Sequence, residues 1–208
     1  MIIAIDGTTA SGKGTLARKV AERYGLKRLD TGAIYRGVAL ALLDAGADPS
    51  DVAAAAAAAH ALDLEAIDED RIRSGPVGTA ASIVSAIPAV RDALLDAQRR
   101  FAAAPQGTVL DGRDIGTVVC PRADVKLFVT ADLRVRAERR WKELHARGES
   151  VTLAQVEAEI AARDRRDSER LIAPLRPAPD AHLLDTTSLS IEAAAAVACH
   201  IIDAVIDP

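Results

Sequence analysis

The first thirteen residues, MIIAIDGTTASGK, constrain the fold more than any other stretch. A short apolar run ends at Asp6, a glycine-bearing loop begins at Gly7, and Gly12 to Tyr24 carries Leu16, Val20 and Tyr24 at helical spacing. Strand, loop and helix in that order open a parallel α/β unit. Gly7 to Lys13 reads GTTASGK and satisfies G-x-x-x-x-G-K where its physics operates, directly after a strand and at the head of a helix. Glycines let successive backbone N–H groups turn toward one phosphate, the helix start adds the positive end of its dipole, and Lys13 supplies a movable cation. Gly7, Thr8, Thr9, Ala10, Ser11, Gly12, Lys13, Gly14 and Thr15 are therefore the expected cradle for the β- and γ-phosphates of a nucleotide. Gly14 follows the lysine where the general pattern has Ser or Thr. The hydroxyl arrives one residue later at Thr15, whose contact with magnesium is expected to be direct or indirect.

Further short apolar runs at Thr108 to Leu110, Val125 to Val129 and Leu183 to Leu184 are each followed by polar loops and then by Ala- and Leu-rich helical patterns. Alternating strands and helices predict an α/β fold, a parallel sheet with helices on both faces. With 208 residues the chain can bury one substantial core and carry a few excursions. A net charge of -4 and a pI near 5.6 give no overall basic footprint, so a nucleic-acid polymer is not an expected partner. Cys120 and Cys199 match no metal-ligand spacing, and the four histidines are scattered. No stretch stays apolar and uncharged for a membrane-spanning length, which leads us to expect a soluble, cytoplasmic protein. Nothing demands an oligomer, and a monomer is the expectation.

Ala53 to Ala59 is low in complexity and strongly helix-forming, and we read it as a plain helix. From Ala61 to Gly78 the pattern weakens around acidic residues and the pair Gly75 and Pro76, which suggests a small excursion. Arg134 to Arg170 holds nine arginines on two helical stretches joined around Gly148. Arg163, Asp167 and Arg170 stand at i, i+4 and i+7, a spacing that puts all three on one helix face with Arg166 beside them. A row of arginines broken by one carboxylate suits phosphates beside a ribose hydroxyl.

Two other segments carry anion chemistry. LDTGAIYR (Leu29 to Arg36) opens a helix with Asp30 or Thr31 as N-cap and brings out Tyr35 and Arg36 one turn later. In DGRD a strand ends at Asp111 and turns at Gly112, presenting Arg113 and Asp114 at the carboxyl end of the sheet, where open α/β folds bind ligands. A structural salt bridge is the competing reading of that pair.

LDTGAIYR, ASIVSAIPAVRDALL, DGRDIGTVV and RDRRDSER, in this order, resemble the bacterial cytidylate kinase family over nearly the whole chain. The resemblance implies a three-layer P-loop NTPase fold with a five-stranded parallel sheet. It also implies an acceptor-binding excursion at about residues 31–105 and an arginine-rich helical lid at about 134–170. The implied reaction moves the γ-phosphate of ATP, with Mg2+, to CMP or dCMP. Lys13, Arg113, Arg163 and Arg170 are the implied catalytic residues. Arg36, Arg113 and Arg170 would hold the acceptor phosphate and Asp167 a sugar hydroxyl, while Ser82, Arg91 and Asp114 would read cytosine. Thr31, Tyr35 and Asp111 complete the implied acceptor set, and Asp111 is also a candidate outer-sphere magnesium holder. An arginine, a serine and a carboxylate complement the acceptors and amine of cytosine, and with five aromatic residues in the chain base selection must rest on hydrogen bonds.

Two departures from the family pattern stand out. Thr8 occupies a place where these kinases usually have proline, which we expect to loosen the loop while leaving its ligand groups in place. The segment Leu62 to Gly78 is short and poor in strand-forming residues where the family carries a small strand-rich lobe, so the acceptor side looks trimmed. The rival readings are another small-molecule kinase of this fold, acting on UMP, AMP, dTMP or a metabolite, and a GTP-dependent switch. Switches read guanine with Asn-Lys-x-Asp, and this chain contains no asparagine.

Overall fold

A computed structural model describes residues 1–64 and 66–206. Five strands, β1 (Ile2–Gly7), β2 (Lys27–Asp30), β3 (Thr108–Gly112), β4 (Val125–Thr130) and β5 (His182–Asp185), form one all-parallel sheet in the order β2-β3-β1-β4-β5. The apolar runs read from the sequence become β1, β3, β4 and β5. β2, KRLD, is too short and too polar to show a strand signal. β1 lies at the centre, and its register sets Asp6 opposite Gly112 on one side and Gly7 opposite Val129 on the other. The strand order reverses beside β1, so the carboxyl ends of β1, β3 and β4 make the crevice where such sheets bind ligands.

The chain divides into two compact units, Met1–Arg28 with Ala104–Pro208, and Leu29–Ala103. In the first, α1 (Lys13–Tyr24) and the C-terminal helix Ile191–Ile206 bury Leu16, Val20, Ala198 and Ile202 with Ile3, Ile5, Val109 and Leu127 of the sheet. Each such Leu, Ile or Val contributes about 1.5–3 kcal/mol relative to exposure.

The second unit is helical and, among the described residues, holds no strand between Thr31 and Ala103. It comprises α2 (Thr31–Asp44), α3 (Val52–Ala61), a 3-10 turn at Arg71–Arg73, α4 (Gly75–Val84) and α5 (Pro88–Ala102), around Ile34, Val38, Ile72, Val84, Val90 and Leu94. The polyalanine run is α3, capped by Asp51 and buried at Ala55 and Ala59. Among the described residues no single helix is long and apolar enough to cross a membrane; α4 and α5 pass that test of length and composition only as a pair bent by 98°.

The arginine-rich segment folds as α6 (Leu133–Ala146) and α7 (Leu153–Glu169), leaving α8 for Ile191–Ile206. Gly148, at φ +80, ends α6, and its N–H and that of Glu149 return to the carbonyls of His145 and Leu144. A Thr152–Gln155 capping box starts α7.

Candidate active site

Gly7 must be glycine because β1 runs into β4: a Cβ there would stand 2.0 Å from the Val129 carbonyl oxygen. Gly12 has φ +88 and turns the chain into α1, leaving the first N–H groups of the helix without partners in its own ladder. Ser11 Oγ and Lys13 Nζ both donate to the Thr8 carbonyl, at 2.9 and 3.1 Å, and this holds the ammonium over the loop. Thr8 stands where proline was expected and keeps a backbone donor. Its N–H donates to Val129 O at 3.2 Å, a bond proline could not make, and ties the loop to β4.

Asp111, at the end of β3, accepts from Arg28 Nε and Nη2 at 3.1 and 3.0 Å, both on Oδ1. Its Oδ2 lies 3.6 Å from where a Cβ on Gly14 would stand. The carboxylate therefore faces the start of α1, one residue from Thr15. Arg28 was not singled out from the sequence; 83 residues separate it from Asp111 and no local pattern links them.

Arg113 and Asp114 each find an ionic partner on or just after α7. Arg113 Nε donates to Asp167 Oδ2 at 2.8 Å, and Arg170 Nη2 donates to Asp114 Oδ1 at 3.4 Å. Burial pushes the Asp167 carboxyl up, but the guanidiniums of Arg113, Arg163 and Arg170 outweigh it and hold the group below the usual carboxylate range. Arg163, Asp167 and Arg170 lie along one side of α7, where both guanidiniums act on the Asp167 carboxylate and the Arg170 N–H still donates to Arg166 O at 3.2 Å. Helix α7 stops at Glu169, and Arg170 is its extended C-cap at ψ 139. Beyond it Ala173 takes φ +51, its carbonyl accepts from Arg170 Nε, and Leu175 N–H donates to Asp167 O. Arg165 and Arg166 are exposed.

Asp6 went unnoticed in the sequence except as the end of a strand. It is 4% exposed and accepts from the N–H groups of Ile115 and Gly116, both at 2.8 Å, at the start of a π-helical turn over Ile115–Val119. This grip fixes the segment that carries Arg113 and Asp114. Burial raises its pKa to about 6 against the lowering effect of the two N–H bonds. The folded value lies above the unfolded one near 3.9, so the folded state binds the proton more readily, and the stability Asp6 contributes is greatest below about pH 4 and is lost as pH rises through 6. In urea unfolding, the stability of the wild type relative to Asp6→Asn should therefore decline between about pH 4 and 6.5 and level off above 7. Parallel curves would contradict this placement of the charge.

In the second unit, Asp30 rather than Thr31 is the N-cap of α2: Oδ1 accepts from Ala33 N at 3.1 Å while Oδ2 holds Arg36 Nη2 at 2.8 Å. Thr31 and Tyr35 are buried. Arg91, only 7% exposed, lies over the Tyr35 ring at 5.7 Å and donates to Ser85 O at 3.3 Å; Ser85 Oγ in turn donates to the carbonyl of buried Ser82. The structure thus brings Tyr35, Ser82 and Arg91 into one buried polar cluster.

The cytidylate kinase family model matches residues 3–205. The chain belongs to the cytidylate kinase family. A cytidylate kinase of Bradyrhizobium diazoefficiens is 58% identical over 205 residues, covering 99% of this chain and 97% of that protein. Another, from Methylobacterium sp. (strain 4-46), is 63% identical over 181 residues, covering 87% and 86%. A crystal structure of an uncharacterized protein from Eubacterium ventriosum ATCC 27560 matches over 98% of each chain with a TM-score of 0.56 and 14% identity, a likeness of fold. In this cytidylate kinase family chain Arg28 touches Asp111, and Arg136 and Asp164 touch Thr9 of the phosphate loop, three contacts that no sequence motif marks.

Proposed function

We propose that the protein transfers the γ-phosphate of ATP to CMP or dCMP, giving ADP and CDP or dCDP. The observation that carries this reading is the 58% identity to a cytidylate kinase across 99% of the chain, which leaves no large segment of either protein unmatched. A phosphate oxygen of the acceptor is already largely ionised at neutral pH, so the protein needs no strong general base, and catalysis rests on positioning and charge neutralisation.

Lys13 and the N–H groups at the head of α1 take the β- and γ-phosphates, with Gly7 to Thr15 as the cradle. The Asp111 carboxylate, beside Gly14, and the Thr15 hydroxyl that follows in the chain would suit a magnesium ion that keeps water and phosphate oxygens as its other ligands. When bound, that ion neutralises charge developing on the phosphates. Arg36, Arg113 and Arg170 take the acceptor phosphate. Their fork-shaped guanidiniums have enough donors to keep Asp30, Asp167 and Asp114 while binding a phosphate oxygen. Asp167, held ionised by its arginines, accepts from a sugar hydroxyl, and Ser82, Arg91 and Asp114 read the base. Thr31 and Tyr35 support this set from α2, and Arg163 stabilises the transferring group. We place the protein in the cytoplasm, acting as a monomer on free nucleotides; its net charge of -4 fits the absence of a polymer partner.

Cytosine and uracil exchange donor and acceptor at two edge positions, so one matched buried hydrogen bond lost on UMP costs about 1–3 kcal/mol, a preference of about tenfold or more for CMP. Initial rates of ADP release with CMP, dCMP, UMP, AMP and dTMP test this directly. CMP and dCMP should lead. Equal rates with UMP, or faster rates with AMP, would overturn the base assignment.

A further inference from the structure

Thr9 of the phosphate loop is held on all three of its polar groups by distant side chains. Its N–H donates to Asp164 Oδ1 at 3.1 Å, its carbonyl accepts from Arg136 Nη1 at 3.0 Å, and its hydroxyl accepts from Arg113 Nη2 at 3.2 Å. Arg136 and Asp164 are themselves an ion pair, with side chains only 8% and 18% exposed. Arg136 Nε donates to Ala131 O at 2.8 Å, so the guanidinium is fixed from both ends. The next residue, Ala10, adopts φ +58, a left-handed conformation that a side chain takes only at a cost and that persists where the surroundings impose it. Those surroundings are apolar: Ala10 packs on the cluster of Ala137, Leu144, Val156 and Ile160 that joins α6 to α7. Two adjacent loop residues are thus gripped by the same two helices, one through charge and one through packing.

We infer that Arg136 and Asp164 are positioning residues for the phosphoryl donor: they set the shape of the phosphate loop by clamping Thr9. The inference rests on reading the loop as the ATP site and adds a role for two residues that contact the loop rather than the substrate. The clamp has a geometric consequence. Asp164 follows Arg163 directly in α7, so the bond from Thr9 to Asp164 also fixes where Arg163 is carried relative to the loop. The base of α7 then belongs to the donor site, and any movement of the arginine-rich arm must pivot beyond Asp164 or break the clamp.

Isothermal titration of the full chain with ADP, and separately with CMP, tests this without turnover. Asp164→Ala and Arg136→Ala should each raise the Kd for ADP about tenfold, the scale of one charge-assisted hydrogen bond, and leave the Kd for CMP within about twofold. Asp164→Asn keeps an acceptor for the Thr9 N–H and should weaken ADP less, about threefold. The double variant should bind ADP no worse than the weaker single variant, because both changes open one clamp. Unchanged ADP affinity in Asp164→Ala, or equal losses for ADP and CMP, would overturn the inference. Should Asp164→Ala fail to fold, unchanged ADP affinity in Asp164→Asn would overturn it equally. A chain that binds ADP as described yet fails to phosphorylate CMP would sink only the acceptor reading.

Discussion

Lys13→Met should lower turnover about a hundredfold or more, the scale for deleting one electrostatic stabiliser aimed at a transferring group. The reason is local. Lys13 is the first residue of α1, and its Nζ rests 3.1 Å from the Thr8 carbonyl, so the ammonium is kept at the loop where phosphate oxygens would lie. Methionine matches the length of the aliphatic stem but carries no charge. Burial of α1 depends on Leu16, Ala17, Val20 and Ala21, which the substitution leaves alone. Urea unfolding should therefore be little changed while steady-state turnover collapses. Near-normal turnover in a folded Lys13→Met protein would remove the loop from the mechanism.

Arg163→Ala should cost more, roughly a hundredfold to several thousandfold in turnover, within the range one arginine contributes to phosphoryl transfer. Arg163 stands one residue before the clamped Asp164 and one turn before Asp167, whose carboxyl its charge helps to hold low. Asp167 retains Arg113 at 2.8 Å when Arg163 is removed, so the fold should survive. The guanidinium serves the transferring group rather than ground-state ATP, and the Kd for ADP should change much less than turnover. Arg170→Ala would differ by weakening the acceptor as well. Turnover within twofold of wild type in Arg163→Ala would mark the row as a solvated helix face, the ordinary role of such charge runs.

Much of the donor site is legible in the sequence because its instructions are local. Gly7, Gly12 and Lys13 are spaced along one strand, turn and helix, and each requirement, a close approach at Val129, a positive φ, a cation at the helix head, is met within seven residues. Asp30 could be read as a cap because capping spans three residues. Other features are written in pairs that only folding brings together. Thr9 and Asp164 are 155 residues apart, Thr9 and Arg136 127, Asp6 and Ile115 109. The helical spacing of Arg163, Asp167 and Arg170 places the two guanidiniums around one carboxylate, while the left-handed turn at Ala173 that follows has no signal in the sequence. Ser82 and Arg91 illustrate a different limit. Nothing in their own neighbourhood marks them, and only likeness to the family singles them out; both are buried in the helical unit, Arg91 over the Tyr35 ring and linked through Ser85 to the Ser82 carbonyl.

Transfer of one phosphoryl group from ATP to cytidylate can be followed by incubating the purified protein with ATP labelled in the γ-phosphate, Mg2+ and CMP, and separating the nucleotides. ADP and labelled CDP should form in equal amounts, both dependent on CMP. Label released as inorganic phosphate without CDP, or carried instead into the product of UMP or AMP in a mixed-acceptor reaction, would contradict that transfer.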